Sequence, residues 1–453
     1  RRPGRGGPVT VATFADDLEQ VAADGPAWLA PVRERALGRF RALGFPTTRD
    51  EDWKYTSTAP ISEADWLLLR EPGGEVTRQD VDALALDAAW TTLVFVNGRY
   101  APELSRTGGL ADGLRVADLA SVLRGDAGPE LARLAETHLA KVAGFERQAF
   151  TALNTALMSD GAVVYAAKDA DVRGPVHLVF VSDAAAARGV THPRNLVVAE
   201  RNSRLTVVET YAALGDATYF TNAVTEAVVA DGATLRHYKV QRESARAFHV
   251  GTIEVRQARD SHYVSFSFAV GARLARTNVY TSLAGAGGGA TLNGLYLLDG
   301  EQHSDHQTRI HHVEPSCYSR ELYKGILGGT SHGVFNGKVY VEPAAQKTDG
   351  KQENHTLLLS DRAHVDTKPQ LEIFADDVKC THGATVGRID EAALFYMKSR
   401  GVGRELARNL LTYAFAADVL ETIEVDAVRE GLEQLVLSRF VSDAGGDVPH
   451  RNG

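Results

Sequence analysis

An all-β core held between two helical ends is the fold class this sequence predicts, and three observations predict it. Short β-type runs alternate with turn residues from about Leu93, and densely from Val176 to Gly387. Before Trp90, and again from Asp390 to Phe440, apolar positions recur at helical spacing. The β-type runs also follow one another at intervals of roughly 10–15 residues with almost no helical pattern between them, as stacked strands do.

The first zone, residues 1–92, reads as helical with loops. Phe14 to Leu18 and Val32 to Leu37 carry helix-period apolar positions among charges, and Gly44-Phe45-Pro46 stops the second helix. A polar loop with two aromatics follows, Thr48 to Tyr55.

The core spans residues 93–387, with a helical insertion near 129–158. Val264, Phe266, Phe268 and Val270 alternate with Ser265, Ser267 and Ala269 at period two. Thr234, Arg236, Tyr238 and Val240 face one way, and Leu235, His237 and Lys239 the other. Runs begin near Val176, Asn195, Leu205, Ala223, Thr234, Val250, Tyr263, Thr277 and Thr291; turn signals such as Asn202-Ser203, Asp231-Gly232, Gly285 to Gly289 and Asp299-Gly300 separate them. A sandwich, a barrel and a β-helix share this spacing. A solenoid would let each strand pair with its equivalent one coil away and bury an inner face continuously, although no strict repeat motif is visible.

Helix returns over residues 388–441. Asp390 is placed to cap a helix running to Arg400, and Gly401 to end it. From Arg404 a second helix carries Leu406, Leu410, Tyr413, Ala417 and Leu420 as one apolar stripe, widened by Phe415 and Val419. That stripe can pack on the β stack or receive a partner. Residues 442–453 read as a flexible tail.

Composition narrows the function. The 453 residues carry a formal net charge of −9, which gives no electrostatic help to binding nucleic acid or an anionic membrane. No apolar run approaches the ~18 residues of a membrane span. None follows the basic start, Arg1 to Gly7, so no secretory signal is read there. The two cysteines, Cys317 and Cys380, make no disulfide framework and favour a reducing compartment, so a cytoplasmic protein is expected.

The common catalytic motifs are missing. Gly333 to Lys338 has the wrong spacing for a phosphate loop and continues into a strand. Gly285 to Ala290 fits a loose dinucleotide pattern, but a strand follows where a helix N-terminus is needed. Two clusters remain. His303, His306, His311 and His312 lie close together with Asp305 and Glu314; on a strand, His303, Asp305 and His311 share one face and His306 and His312 the other. They read either as ligands of a transition metal or as hydrogen-bonded histidines of a β surface. Cys380 and His382, two apart, project from the same face of an extended strand. Thiolate and imidazole suit iron and iron–sulfur clusters, but a cluster usually wants four ligands, and a buried structural cysteine beside a surface histidine is the plain alternative.

The stretch from His364 to Gly387, HVDTKPQLEIFADDVKCTHGATVG, closely resembles the signature near the C-terminal end of the SufB/SufD family core. Ala393 to Gly401 resembles the family's first C-terminal helix, and Arg49 to Tyr55 its N-terminal motif. The SufD branch fits best: Asn354 stands where SufB-type chains place a cysteine, and Gly383 where they place a glutamate. The resemblance implies a right-handed parallel β-helix flanked by helical N- and C-terminal parts. It implies a non-enzymatic scaffold for iron–sulfur cluster assembly that pairs with a SufB-type subunit and binds a SufC-type ATPase through its C-terminal helices, with a homodimer as an option for the isolated chain. By the same carry-over, His382, with Cys380 beside it, is the candidate ligand or relay at the SufB interface. Leu394, Phe395, Arg400, Leu410, Tyr413 and Phe415 are the candidate ATPase contacts. No cofactor is expected to stay on the chain alone, only a transient iron–sulfur cluster at the partner interface.

Two other classes fit parts of the pattern. A β-helix enzyme acting on carbohydrate would use Asp376 and Asp377, but adjacent strand residues face opposite ways and cannot easily flank one glycosidic bond. A mononuclear metal protein would be built on His303, His306, His311 and His312.

Overall fold

From Arg194 onward each long strand pairs in parallel with the strand two ahead of it in the chain, not with the next one. The computed structural model describes residues 25–441 except Pro72; the helix expected near Phe14 to Leu18 and the tail from Ser442 to Gly453 lie outside them. The pairing builds a parallel β-solenoid of about eight coils, each giving one strand to an 11-stranded sheet and one to a 10-stranded sheet. The expected runs fall inside the strands observed, among them Phe220–Val229, Thr234–Arg242, Phe248–Gln257 and Gly289–Leu298.

Turn chemistry sets the corners. Gly287 has φ +75°, and a Cβ there would lie 2.2 Å from Asp260 Oδ1 on the neighbouring coil, so only glycine fits. Between the sheets, Val207, Leu235, Tyr263, Leu292, Tyr323 and Phe335 fill a continuous interior. Stacking coils in register buries that face without any single coil needing a core of its own.

Helix α1 (Leu29–Leu43) ends at Gly44 with φ +66°, as the Gly-Phe-Pro sequence dictates. Helices α2 (Pro129–His138) and α3 (Ala149–Leu157) form the insertion, and α3 is buried along its whole length. A charge clamp fixes the insertion to the sheet. Glu226 accepts backbone N–H groups from Ala140, Lys141, Val142 and Ala143 at 2.7–3.1 Å and pairs with Arg194 at 2.8 Å, both side chains being fully buried. Arg194 also donates to Asn154 Oδ1 and Thr155 Oγ1, so its guanidinium is well matched in the dry interior.

The N-terminal motif lies across the outside of the 11-stranded sheet. Arg276 stacks on the Trp53 ring at 3.8 Å, donates to Asp52 O at 2.7 Å and pairs with buried Asp305 at 2.6 Å. Glu51 pairs with Lys368 on a strand three coil positions further along, which ties this segment to the last coil.

Three helices follow the last strand: α4 (Glu391–Ser399), α5 (Arg404–Leu420) and α6 (Asp426–Val441). Asp390 caps α4 by accepting the Ala392 N–H at 2.8 Å, and Gly401, φ +87°, follows its end. Helices α5 and α6 cover the outside of the 10-stranded sheet, where Ala416, Val419, Leu420, Val428, Leu432 and Val436 pack against Tyr238, Val240, Phe266, Phe268 and Leu295.

This covering decides two readings that the pattern leaves open. In His262–Ala269 the apolar residues Phe266 and Phe268 point outward beneath the helices, while Ser265 and Ser267 turn inward with Tyr263, so both faces are buried. The stripe expected on α5 is also only half used. Leu420 is buried, but Leu406 and Leu410 are 54% and 45% exposed, and Ala407 and Ala416 make the close contact instead. The side of α5 that carries Ala407 and Ala416 is covered, which leaves Leu406 and Leu410 on its open side.

Candidate functional site at the open end

The last coil, His364–Ile373 and Val378–Gly387, has a strand on one side only, each of the two ending its sheet. Its residues are half-buried or exposed, whereas every residue of Arg194–Ala199 near the other end is buried. Pro369, lacking an N–H, belongs on such an edge.

Cys380 and His382 lie on the final strand, on the same face as expected. Register aligns Cys380 with Gly350 and His382 with Gln352, and one coil deeper these align with Ser319 and Glu321, residues of the solenoid interior. The pair therefore stands at the mouth of the lumen. A Cβ on Gly350 would sit 3.3 Å from Cys380 Sγ, so the bare backbone leaves room for the sulfur. Burial pushes the Cys380 thiol up, against a smaller opposing effect of the Gly350 backbone. His382 is exposed.

Behind them the lumen is polar. Gln352 Nε2 donates to Glu321 Oε2 at 2.6 Å, and burial pushes the Glu321 carboxyl up to about 7 despite hydrogen bonds with Thr308 and Gln352. His312 Nε2 meets Ser319 Oγ at 3.0 Å, and His306 packs between Tyr296 and Tyr323. Burial lowers the two imidazoles to about 4 and about 3, which keeps both neutral near pH 7. Further in, Lys239 Nζ contacts His249 Nε2 at 2.8 Å, and His249 Nδ1 meets Glu243 at 2.7 Å.

The histidine quartet does not converge. On the strand His303–His312, His306 and His312 point into the lumen, while His303 meets Thr56 and His311 meets Glu342 outside. A mononuclear centre on these four is thereby overturned, because alternate residues of one strand face opposite sides. Asp376 and Asp377 are exposed in the turn between the last two strands, and Gly333 to Lys338 lies within the strand His332–Val341.

Residues 180–415 match the SufBD core domain of SUF-system iron–sulfur cluster assembly, and residues 11–178 match the SufBD protein N-terminal region. The chain belongs to the SufBD family. It is 33% identical over 414 residues to the iron–sulfur cluster assembly protein SufD of Escherichia coli, covering 91% of this chain and 92% of that protein. It is 32% identical over 424 residues to a SufBD family protein of Synechocystis, covering 91% of each, and 27% identical over 430 residues to the SufD of Bacillus subtilis, covering 91% and 94%.

This SufD-like assembly protein belongs to a system that implies protein partners. No helix among its described residues is long and apolar enough to cross a membrane. Asn354 is buried and donates to Tyr323 O at 3.2 Å; the space beside Gly383 is open. Of the residues carried over as ATPase contacts, Phe395 is 73% exposed, Arg400 and Leu410 are exposed, Tyr413 and Phe415 are half-buried, and Leu394 is buried beneath α4. Phe415 lies under Lys324, whose Nζ is 4.6 Å from the ring centroid and pairs with Asp418 at 2.5 Å. Beside α5 a cleft of about 840 Å³ is lined by Leu297, Ile326, Leu359, Leu406, Thr412 and Phe440.

The sequence pattern singles out Cys380 and His382 but not Glu321 and Gln352. Their link to His382 is a register across coils, which no local spacing encodes.

Proposed function

We propose that this chain is the non-catalytic half of a two-subunit scaffold, and that its open coil closes against the open coil of a SufB-type subunit. The observation that carries this is the uncovered last coil with Cys380 and His382 at its mouth. An edge of unpaired backbone groups is a template for another chain. One thiol and one imidazole cannot complete a four-ligand cluster site. His382 supplies one ligand or relay, Cys380 stands beside it, and the partner adds the thiolate and carboxylate that Asn354 and Gly383 do not provide. Gln352 and Glu321 give His382 a buried, protonatable carboxyl behind it. The cluster is cargo that forms at the joint and leaves. A second copy of this chain would meet the same edge when no partner is present.

The exposed face of α4 and α5, with Phe395, Arg400 and Leu410 outermost and Tyr413, Phe415 and Leu394 behind, docks a SufC-type ATPase. Nucleotide-driven movement of that ATPase would strain the joint and open it, a coupling whose energy comes from another chain.

Co-expression with SufB- and SufC-type partners tests the reading. His382→Ala is expected to leave the complex intact with reduced cluster content, measured as iron and acid-labile sulfide; normal content would remove the ligand role. Phe395→Ala with Leu410→Ala is expected to lose the ATPase from the complex while the SufB-type subunit stays bound.

A further inference from the structure

The solenoid register lines up three histidines that are far apart in sequence. His303, His332 and His364 each open a strand of the 11-stranded sheet, and pairing places His303 beside His332 and His332 beside His364. The His332 and His364 rings stack at 4.0 Å, and His303 meets His332 edge-on at 4.7 Å. Two residues beyond His364 on the same face, Asp366 places Oδ2 2.8 Å from His332 Nε2. One ligand atom from each of His332, His364 and Asp366 lies within 4.8 Å of the other two.

We propose that His332, His364 and Asp366 form a binding site for a divalent first-row transition ion, separate from Cys380 and His382. Two imidazoles and a carboxylate are a donor set for Fe²⁺, Zn²⁺ or Co²⁺, with the remaining positions open to water. The Nε2 to Oδ2 separation is near the ~3 Å between cis ligands on an ion with bonds of ~2.1 Å. Moderate rotation of the exposed His364 ring brings the third donor in. His303 stays outside the set, because Thr56 Oγ1 holds its Nε2 at 2.9 Å, and Asp305 is taken by Arg276 and Thr56. It acts as a wall that fixes the His332 ring. The ion is held by one chain, so the site does not depend on the proposed scaffold pairing.

The test is an anaerobic titration of the metal-free full chain with Co²⁺, followed by visible absorption and by competition with Zn²⁺ and Fe²⁺. The wild type is expected to bind one equivalent and to release it to Zn²⁺. His364→Ala and the near-isosteric Asp366→Asn are expected to weaken binding by roughly tenfold or more, with unchanged circular dichroism, because both residues lie on the outer face of the edge strand. His382→Ala is expected to bind like wild type. No saturable binding below millimolar Co²⁺, an unchanged isotherm in both His364→Ala and Asp366→Asn, or loss of binding in His382→Ala would each overturn the proposal.

Discussion

The two ends of the solenoid are built from the same strand pairing and treated oppositely. At the first end the sheets finish in antiparallel strands, Arg99–Tyr100 and Leu114–Asp118, and α1, α2 and α3 pack over the early coils. There Glu226 and Arg194 are wholly desolvated and fully partnered. At the other end no strand or helix among the described residues continues either sheet, and no residue of the last two strands is fully buried. A stacked-coil fold grows by adding strands to an edge, so an end must be capped or it invites more chain. This molecule caps one end and leaves the other open.

The largest effect is expected where that contrast is sharpest. Glu226→Ala removes the acceptor of four backbone N–H groups and leaves Arg194 charged in the interior. Breaking a buried pair in this way costs about 3–5 kcal/mol, readable as a lower midpoint in urea denaturation. His382→Ala, exposed on the open edge, is expected to change that midpoint by less than about 0.5 kcal/mol. Equal losses at the two sites would erase the distinction between them.

Next in size is a pH effect behind the open end. Burial raises the folded Glu321 carboxyl from 4.5 to about 7, so between these values the folded state holds a proton that the unfolded state releases. Stability from this group is therefore full below about pH 4.5 and falls as pH rises towards 7, by an amount on the order of 3 kcal/mol. Glu321→Gln keeps an acceptor for Gln352 Nε2 without titrating, and should flatten that part of the stability–pH curve. A slope unchanged by the substitution would place the titration elsewhere.

How much of this was readable beforehand depends on the range of the interaction. Period two placed Cys380 and His382 on one face, and capping chemistry placed Asp390 and Gly401 at the ends of α4, because both are set within a few residues. The inward direction of Ser265 and Ser267 was not readable, since alternation identifies two faces but not which one a distant helix will cover. The same holds for α5, whose stripe could pack on the β stack or receive a partner; Ala407 and Ala416 are buried and Leu406 and Leu410 stay exposed. The ladder of His303, His332 and His364 depends on the length of each coil, which turns and insertions set. Pro369 was an overlooked local clue: a proline inside a β-type run argues for an edge strand, and so for an open end.

The smallest effect on the isolated chain should be the largest on assembly. Ala384 is exposed on the final strand, aligned with buried Asn354, on the face that carries Cys380 and His382. Ala384→Lys adds a solvated charge to the free monomer and should move its stability by no more than about 0.5 kcal/mol. Closure by a second solenoid would force that ammonium into the joint beside the lumen, where an unpaired charge costs roughly 2–5 kcal/mol. Size-exclusion chromatography of the co-expressed subunits should then show the SufB-type partner eluting without this chain, while a monomer bearing the lysine melts as wild type does. If the complex instead persists undiminished, the partner approaches another surface and the open coil is only an uncapped end.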